Sequence, residues 1–151
     1  MIKILDHEDY AVAEKIYRVF QVSYAVEADL LGAKNFPPLK RSVADLSQSN
    51  TSFFGFHKDE KVIAVIEIEP FPSVFHICSL VVDPPYFRQG IASKLIDFML
   101  KLLAGNRMTV ETGLDNKPAI ALYESFGFKE VKQYYTDHGI RKIRFETENA
   151  Q

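Results

Sequence analysis

The stretch that most constrains the fold is LVVDPPYFRQGIASKLIDFML, residues 80–100. Its apolar first part ends at the pair Pro84 and Pro85, because proline interrupts the hydrogen bonding of a strand or helix interior. A short loop with Arg88 follows. After Gly90, apolar residues recur at the 3.6-residue spacing of an amphipathic helix. The stretch therefore predicts a buried strand, a tight loop and a helix.

The remaining segments show the period of either a strand or a helix. Strands are predicted at residues 2–5, 52–57, 61–69, 74–82, 108–112, 128–135 and 140–146, and helices at residues 9–24, 43–48, 90–103 and 117–126. The segment 31–40 contains a Pro-Pro pair and is predicted to be an irregular loop. This order indicates the α/β (α+β) class, with a mixed sheet of about seven strands covered by helices on both faces.

The composition is that of one globular domain. The chain has 151 residues, of which 47% are hydrophobic and 25% charged, so residues 1–151 are predicted to form a single domain. The formal net charge of −2 argues against nucleic acid as a partner. Cys78 is the one cysteine, which excludes an internal disulfide and fits a reducing, cytoplasmic setting. The chain shows neither a signal peptide nor an apolar run long enough to span a membrane, so no membrane partner is expected.

The loop before the helix of residues 90–103 is a candidate anion site. The first amides of a helix have no partner within the helix and carry partial positive charge, and glycine lets a ligand approach them closely. Arg88 would add a fixed positive charge. A plain turn with a solvated Arg88 and Gln89 is the alternative. The spacing fits neither a P-loop nor a dinucleotide-binding fingerprint, because only one glycine is present.

Two motifs resemble those of the GNAT superfamily of N-acetyltransferases. The first is VVDPPYFRQGIASKLI, which is similar to the family's acyl-CoA-binding motif. The second is N-x-x-A-x-x-L-Y-E-x-x-G-F, filled here by Asn116, Ala119, Leu122, Tyr123, Glu124, Gly127 and Phe128. The resemblance implies a GNAT-like, mainly antiparallel sheet and acetyl-CoA as the acyl donor. One position departs from the motif, because Phe87 stands where the family usually has Arg or Gln.

The resemblance also implies which residues hold the coenzyme. The thioester oxygen and the pantetheine arm are expected along the strand before the loop, and the pyrophosphate at the start of the helix. Asn116 is expected to order the turn before its helix, and Tyr123 matches the family's general acid, with a core tyrosine as the alternative. The implied coenzyme-binding residues are Leu80, Val81, Val82, Arg88, Gln89, Gly90, Ile91, Ala92, Ser93, Asn116 and Tyr123.

The general base is left open by the sequence. His76 stands four residues before Leu80, at the place where some family members have a glutamate, and a histidine can accept a proton at neutral pH. Glu67 and Glu69, on the neighbouring strand, are the carboxylate alternatives. Alternation along the strand predicts that His76, Cys78, Leu80 and Val82 share one face. A covalent route through Cys78 is a further, less favoured alternative.

The acceptor is expected to be a primary amine of a small molecule or a protein. Glu27, Phe36 and Tyr134 are the candidate substrate-binding residues, since loops and hairpins at those places shape the acceptor site in the family. No metal is expected, because direct acyl transfer needs none. A coenzyme-binding module without catalysis is the alternative function, a nucleotide such as ATP is the alternative ligand, and a homodimer is an open option for assembly.

Overall fold

A computed structural model describes residues 1–148, so the last three residues of the predicted domain lie outside the described part. The strands are β1 Ile2–Leu5, β2 Ser52–Lys58, β3 Lys61–Phe71, β4 Val74–Val82, β5 Arg107–Gly113, β6 Lys129–Tyr135 and β7 Arg141–Glu148. They form one sheet in the order β1-β2-β3-β4-β5-β7-β6. All neighbouring pairs are antiparallel except β4 and β5, which are parallel. The predicted mixed, mainly antiparallel sheet is confirmed.

Helices cover both faces of the sheet, as predicted. They are α1 Tyr10–Leu31, α2 Val43–Ser47, α3 Ile91–Leu102 and α4 Lys117–Ser125, and short 3-10 helices span Pro37–Lys40 and Pro84–Tyr86. One buried cluster joins α3 and α4 to the sheet, and a second joins α1 and α2 to the opposite face. Because each face of the sheet buries its own set of apolar side chains, β3 is buried at seven consecutive positions, 62–68.

Helix α1 ends seven residues later than predicted. It continues past Tyr24 to Leu31 and ends at Gly32, which has φ = 62° and donates its N–H to the carbonyls of Ala28 and Asp29. A glycine in this left-handed conformation is a common helix terminator. The prediction that the chain becomes irregular from residue 31 was therefore nearly right. The prediction that the helix ends near Tyr24 was wrong, because the residues before Gly32 are compatible with a helix and Ala28 is buried in the core.

A β-bulge in β4 reverses its side-chain alternation. The register with β3 shifts by one residue between the pairs Glu67–Ser79 and Ile68–Ile77, so Cys78 is the extra residue. Beyond it, Leu80 packs with the cluster under α3 and α4. The prediction that His76, Cys78, Leu80 and Val82 share one face was wrong, because a bulge cannot be read from strand alternation alone.

Strands β4 and β5 separate after a short stretch of pairing. Their parallel ladder covers only the pairs from Val74–Arg107 to Ile77–Val110. Beyond these pairs β4 continues to Val82 and β5 to Gly113, so the two strands diverge and leave a wedge in the middle of the sheet. The wedge opens toward the start of α3 and the start of α4, where the two sequence motifs lie.

Candidate active site

A cleft of about 540 Å³ fills the wedge between β4 and β5. Its walls come from α1, the divergent ends of β4 and β5, the loop before α3, and α4. Nine of the eleven residues predicted to bind the coenzyme line this cleft: Leu80, Val82, Arg88, Gly90, Ile91, Ala92, Ser93, Asn116 and Tyr123. The structure therefore brings both sequence motifs to one cavity.

The edge of β4 presents backbone groups to the cleft. The Asp83 N–H donates to the Ile63 carbonyl of β3 at 2.8 Å, whereas the Val82 N–H points the other way and donates to the Ser23 hydroxyl at 3.3 Å. Because backbone direction alternates along a strand, the N–H of Leu80 points the same way as that of Val82. Two backbone donors of β4 thus face the space between the strands.

The start of α3 supplies a second set of backbone donors. Gly90 has φ = 74°, and Arg88 has φ = 63°, which is uncommon for a residue with a side chain. The first helical hydrogen bond runs from the Lys94 N–H to the Gly90 carbonyl at 3.0 Å. The N–H groups of residues 91–93 consequently have no partner within the helix and line the cleft. This arrangement suits a phosphate or another anion.

Two predicted coenzyme residues lie outside the cleft lining. Val81 is 1% exposed and packs in the cluster on the α1 face. Gln89 is exposed, and its amide donates to the Pro85 carbonyl at 3.5 Å. Phe87, the position that departs from the motif, lines the cleft and is 39% exposed. Its ring replaces a polar side chain there but leaves the backbone amides of the loop in place.

Asn116 ties α4 to α1. Its side-chain oxygen accepts the Ala119 N–H at 3.3 Å and so caps α4, while its side-chain amide donates to Glu27 at 3.1 Å. The cap explains why asparagine suits this position, since it satisfies a free amide of the first turn. The second bond fixes the direction of the whole side chain and places the Glu27 carboxylate on the cleft wall.

Tyr123 is nearly enclosed and lines the cleft. Its ring is 5% exposed and packs 5.6 Å from Phe128 and 6.1 Å from Phe145, measured between ring centres. Burial raises the pKa of Tyr123, and the nearby Tyr24 and Glu27 raise it further. Within residues 1–148 its hydroxyl has no hydrogen-bond partner. A phenol in this setting stays protonated and is free to donate to a ligand.

His76 lies behind the cleft rather than in its lining. It is half-buried on β4, and its Nδ1 lies 2.7 Å from the hydroxyl of the buried Thr109 on β5. Burial lowers the pKa of His76; Arg144 also lowers it, while Glu111 raises it. The imidazole is therefore neutral at neutral pH and retains one ring nitrogen for another partner. Its role as a base stays a prediction.

Glu67 is held by three neighbouring side chains. It is 1% exposed and accepts hydrogen bonds from Arg41 at 2.7 and 3.0 Å, from Thr51 at 2.7 Å and from Ser79 at 3.0 Å. Burial would raise the pKa of Glu67, but these hydrogen bonds outweigh it and the pKa is lowered. The carboxylate lines neither the cleft nor the neighbouring cavity, and it connects the segment before α2 to the centre of the sheet.

Cys78 and Glu69 form a weak pair on the α1 face. The Cys78 thiol lies 3.9 Å from Glu69 Oε1 and 3.8 Å from the His76 carbonyl. Burial raises the pKa of Cys78 to about 12, with Glu67 and Glu69 adding to the effect. The thiol is thus protonated at neutral pH, and the His76 Nδ1 is engaged by Thr109 instead of the sulfur. This geometry does not favour a covalent route through Cys78.

Glu111 is an ionisable cleft residue that the sequence did not single out. It lies on β5 one residue beyond Val110, the last residue paired with β4, and lines the cleft. Its carboxylate accepts hydrogen bonds from the Tyr134 hydroxyl and from Arg144 at 2.9 Å. Burial would raise the pKa of Glu111, but these two donors outweigh it and the pKa is lowered. One feature of the sequence could have identified it. In the strand MTVET, directly before the second motif, Glu111 is the charged residue among side chains that are apolar or carry a hydroxyl.

A second cavity of about 360 Å³ lies beside the cleft. Phe36, predicted to bind the acceptor, lines both cavities, and Glu27 lines the cleft. Tyr134 lines neither cavity, and its hydroxyl donates to Glu111. Burial and the Glu111 carboxylate raise the pKa of Tyr134 to about 12. Within residues 1–148, no three side chains of His, Cys, Asp or Glu are grouped so that they could hold a metal ion.

The arrangement has the parts of an acyl-transfer site: backbone donors along a strand, free amides at a helix start, a protonated phenol and a carboxylate. Residues 8–128 match the model of the Acetyltransferase (GNAT) family. The chain belongs to the GNAT acetyltransferase family. The predictions of family and fold are thus confirmed, and the acetyltransferase prediction is confirmed at the level of the family.

Similar proteins include relatives and solved structures. The UPF0157 protein YqkA of Bacillus subtilis is 32% identical over 141 residues, which are 93% of this chain and 41% of that protein, so the chain spans less than half of YqkA. An N-alpha-acetyltransferase of Saccharolobus solfataricus is 32% identical over 114 residues, 63% of this chain and 68% of that protein. The PaiA N-acetyltransferase of Thermoplasma acidophilum, solved in complex with coenzyme A, superposes with a TM-score of 0.74 at 21% identity and covers 98% of this chain and 99% of its own.

Among the described residues, no helix combines the length and the apolar character that crossing a bilayer requires.

Proposed function

We propose that the chain transfers an acetyl group from acetyl-CoA to a primary amine by direct attack, and that residues 1–151 form one domain for this purpose. The observation that carries the proposal is the cleft between β4 and β5, where both motifs meet. The family assignment supports an acetyltransferase, and the N-alpha-acetyltransferase relative supports an amine acceptor. The cytoplasmic location and the homodimer stay predictions.

The coenzyme would be bound mainly by backbone groups. The pyrophosphate fits the free amides of residues 91–93 at the start of α3, where the partial positive charge of the helix adds to hydrogen bonding. The pantetheine arm then follows β4 toward the point where the strands meet, much as an added strand would. The N–H of Leu80 faces the same space and would stabilise the negative charge that develops on the thioester oxygen. The Ser23 hydroxyl, now bonded to Val82, would be displaced by the arm.

Tyr123 is proposed as the general acid. The amine attacks the thioester carbon, the carbon–sulfur bond breaks, and the departing thiolate needs a proton. The phenol of Tyr123 is protonated because burial raises its pKa, and Tyr123 lines the cleft in which the sulfur would lie. The hydrogen bond from Asn116 to Glu27 supports this placement, since it anchors the start of the helix that carries Tyr123.

Glu111 is proposed as the group that takes the proton from the amine. Compared with Glu67 and Glu69, it lies closer to the point where β4 and β5 separate, and its lowered pKa keeps it ionised. An amine nitrogen becomes much more acidic once it bonds to the acyl carbon, so a weakly basic carboxylate can accept its proton directly or through water. His76 and Glu69 stay as predicted alternatives. Glu67 is better suited to structural support, because it lines neither cavity and connects Arg41, Thr51 and Ser79.

The test is acceptor-dependent thiol release. Protein, acetyl-CoA and a panel of amines are mixed and free coenzyme A is measured, while coenzyme affinity is measured separately by calorimetry. We expect saturable acetyl-CoA binding together with thiol release that depends on the amine. Binding without such release across the panel would instead support the alternative, a coenzyme-binding module without catalysis. A thermal shift with ATP and none with coenzyme A would contradict both.

A further inference from the structure

The two cavities of the site meet at Lys142. This half-buried residue of β7 lines the cleft between β4 and β5 and also the second cavity of about 360 Å³. The residues that line both cavities are Tyr24, Phe36, Pro38, Cys78, Ser79 and Lys142. With the coenzyme in the cleft, the second cavity, which we name the acceptor cavity, is the space from which an amine would approach. Lys142 lies at the boundary between the two cavities, which such an amine has to reach.

Basic residues, rather than carboxylates, contribute to the acceptor cavity. Arg41, His138 and Lys142 contribute to its lining, and within the described part of the chain none of its lining residues is Asp or Glu. The Arg41 guanidinium is paired in bidentate fashion with Glu67, at 2.7 and 3.0 Å, so its charge is compensated. Within residues 1–148, Lys142 makes no ion pair shorter than 4.0 Å.

The carboxylate that interacts electrostatically with Lys142 is not in the acceptor cavity. Glu27 is affected by Lys142, but its carboxylate lines the cleft only and already accepts a hydrogen bond from Asn116. Lys142 also acts on His76 through space. The ammonium of Lys142 therefore remains available to a bound anion, in a site where the surrounding rings reduce solvent screening.

Apolar groups make up most of the remaining wall of the acceptor cavity. Phe20, Phe36, Pro37, Pro38 and Ile140 contribute to it, and Tyr24 adds a buried ring. An acceptor suited to this wall has a compact apolar part. A polyamine or an aminoglycoside fits this cavity poorly, because its additional ammonium groups would meet Lys142 and, among the described residues, no Asp or Glu lines the cavity to bind them.

We propose that the acceptor is an amine that carries an anionic group, such as a carboxylate, next to an apolar side chain, and that Lys142 binds this group. The inference rests on the proposed function, because it concerns the acceptor of the same acetyl transfer. Lys142 is then a specificity-determining residue: it orients the acceptor so that the amine faces the thioester. The anion has two possible sources, the carboxylate of a free amino acid or an acidic side chain near the end of a peptide.

The experiment compares acceptors that differ in this one charge. Initial rates of thiol release are measured with L-phenylalanine and L-phenylalaninamide, with a pair of peptides that begin Phe-Glu and Phe-Gln, and with spermidine. We expect kcat/KM to be about tenfold higher or more for the anionic member of at least one pair, mainly through KM. A preference within the amino acid pair identifies a free carboxylate as the source, and one within the peptide pair identifies an acidic side chain.

Variants of Lys142 separate charge from shape. Lys142→Gln should lower the ratio of kcat/KM between the anionic and the neutral acceptor to about one, and Lys142→Arg should retain most of that ratio. Lys3→Gln removes the same charge from the opposite edge of the sheet and should change nothing. Calorimetry of L-phenylalanine with coenzyme-loaded protein provides a readout that does not depend on turnover.

The outcomes distinguish this inference from the proposed function. Equal rates within both acceptor pairs, a preference for spermidine, or a preference that survives in Lys142→Gln would overturn the inference while the acetyltransferase proposal stands. Thiol release with none of the acceptors, despite acetyl-CoA binding, would overturn the proposed function and the inference with it.

Discussion

The cleft for the coenzyme and the acceptor cavity are built in different ways. The cleft presents backbone groups: the edge of β4, and the free amides at the start of α3. The acceptor cavity presents side chains instead. They come from α1, from the segment 36–41 between α1 and α2, from β4 and from the β6–β7 hairpin. Backbone donors bind any phosphate and tolerate exchange of side chains, whereas a wall of side chains changes its preference with each substitution. In the proposed acetyl transfer, the first region would define the reaction and the second would define its acceptor.

The variant with the largest expected effect tests whether catalysis can be abolished while coenzyme binding is retained. Tyr123→Phe should lower kcat on the order of 10³-fold, because the thiolate loses its proton donor, and should leave the Kd for coenzyme A unchanged. Steady-state rates and calorimetry check the two parts. Tyr135→Phe, on the exposed edge strand, is the matched control and should behave as the parent protein. An unaltered kcat in Tyr123→Phe would remove this residue from the acid role.

The next effect concerns the proton acceptor. Glu111→Gln should lower kcat/KM about 10²-fold. The pKa of folded Glu111 is lowered, so its carboxylate is ionised throughout the ordinary glutamate range and above it. The ratio of kcat/KM between the parent protein and Glu111→Gln should therefore be constant from about pH 6 to about pH 8, well above the ordinary glutamate range. The check is a pH–rate profile of the parent protein and the variant.

His76→Ala supplies the comparison for that profile. The pKa of His76 is lowered by burial. If the reaction depends on neutral His76, its rate should therefore be at its maximum at neutral pH and should fall as the pH drops below the ordinary histidine range. Loss of that acidic limb in His76→Ala, with near-parental rates in Glu111→Gln, would transfer the role of the base to the imidazole.

A smaller effect concerns the support of the acceptor cavity. Glu67→Gln should reduce the free energy of unfolding by about 2 kcal/mol at neutral pH, because hydrogen bonds to a buried charge are weakened. The pKa of folded Glu67 is lowered from the ordinary value of 4.5, so its stabilisation is present above that value and is lost as the pH falls through the folded pKa. Urea unfolding at neutral and acidic pH measures this, and the parent and variant should converge in acid. Glu60→Gln, in an exposed turn, is the control. A difference in the free energy of unfolding between the parent protein and Glu67→Gln that stays constant at all pH values would contradict this role of the Glu67 charge.

The smallest effect tests the backbone directly. Gly90→Ala should weaken coenzyme binding about fivefold, because alanine lets the loop relax in the free protein and restoring the left-handed conformation on binding costs about 1 kcal/mol. The added Cβ meets nothing within 4 Å, so the effect is conformational and not a clash. Gln89→Ala removes a side chain that lies outside the cleft and should leave the Kd unchanged. A reversed order of the two variants in calorimetry would indicate that side chains, not amides, hold the pyrophosphate.

The strand, the loop and the two helix starts around the cleft could be predicted from the sequence because their determinants are local. A strand that ends at Pro84, a glycine before a helical repeat, and an asparagine cap at residue 116 each leave a signal within a few positions. The same holds for the seven strands, whose alternation and breaks are visible without tertiary information. Only Val81 and Gln89 of the predicted coenzyme residues lie away from the cleft.

What the sequence missed depends on contacts between distant segments. The bulge at Cys78 arises from the pairing of β4 with β3, and it turned Leu80 to the opposite face from the one expected. Glu111 gains its place only because β5 diverges from β4 at that point. Lys142 reaches the site because β7 inserts between β5 and β6. None of these consequences leaves a periodic pattern in the chain.

The most direct test of the proposed acetyl transfer is the rate of coenzyme A release from acetyl-CoA as a function of amine concentration. We predict saturation in both substrates, an acetylated amine equal in amount to the thiol released, and loss of this turnover in Tyr123→Phe while coenzyme binding persists. Tight coenzyme binding without any amine-dependent thiol, or turnover that is unaffected by Tyr123→Phe, would contradict it.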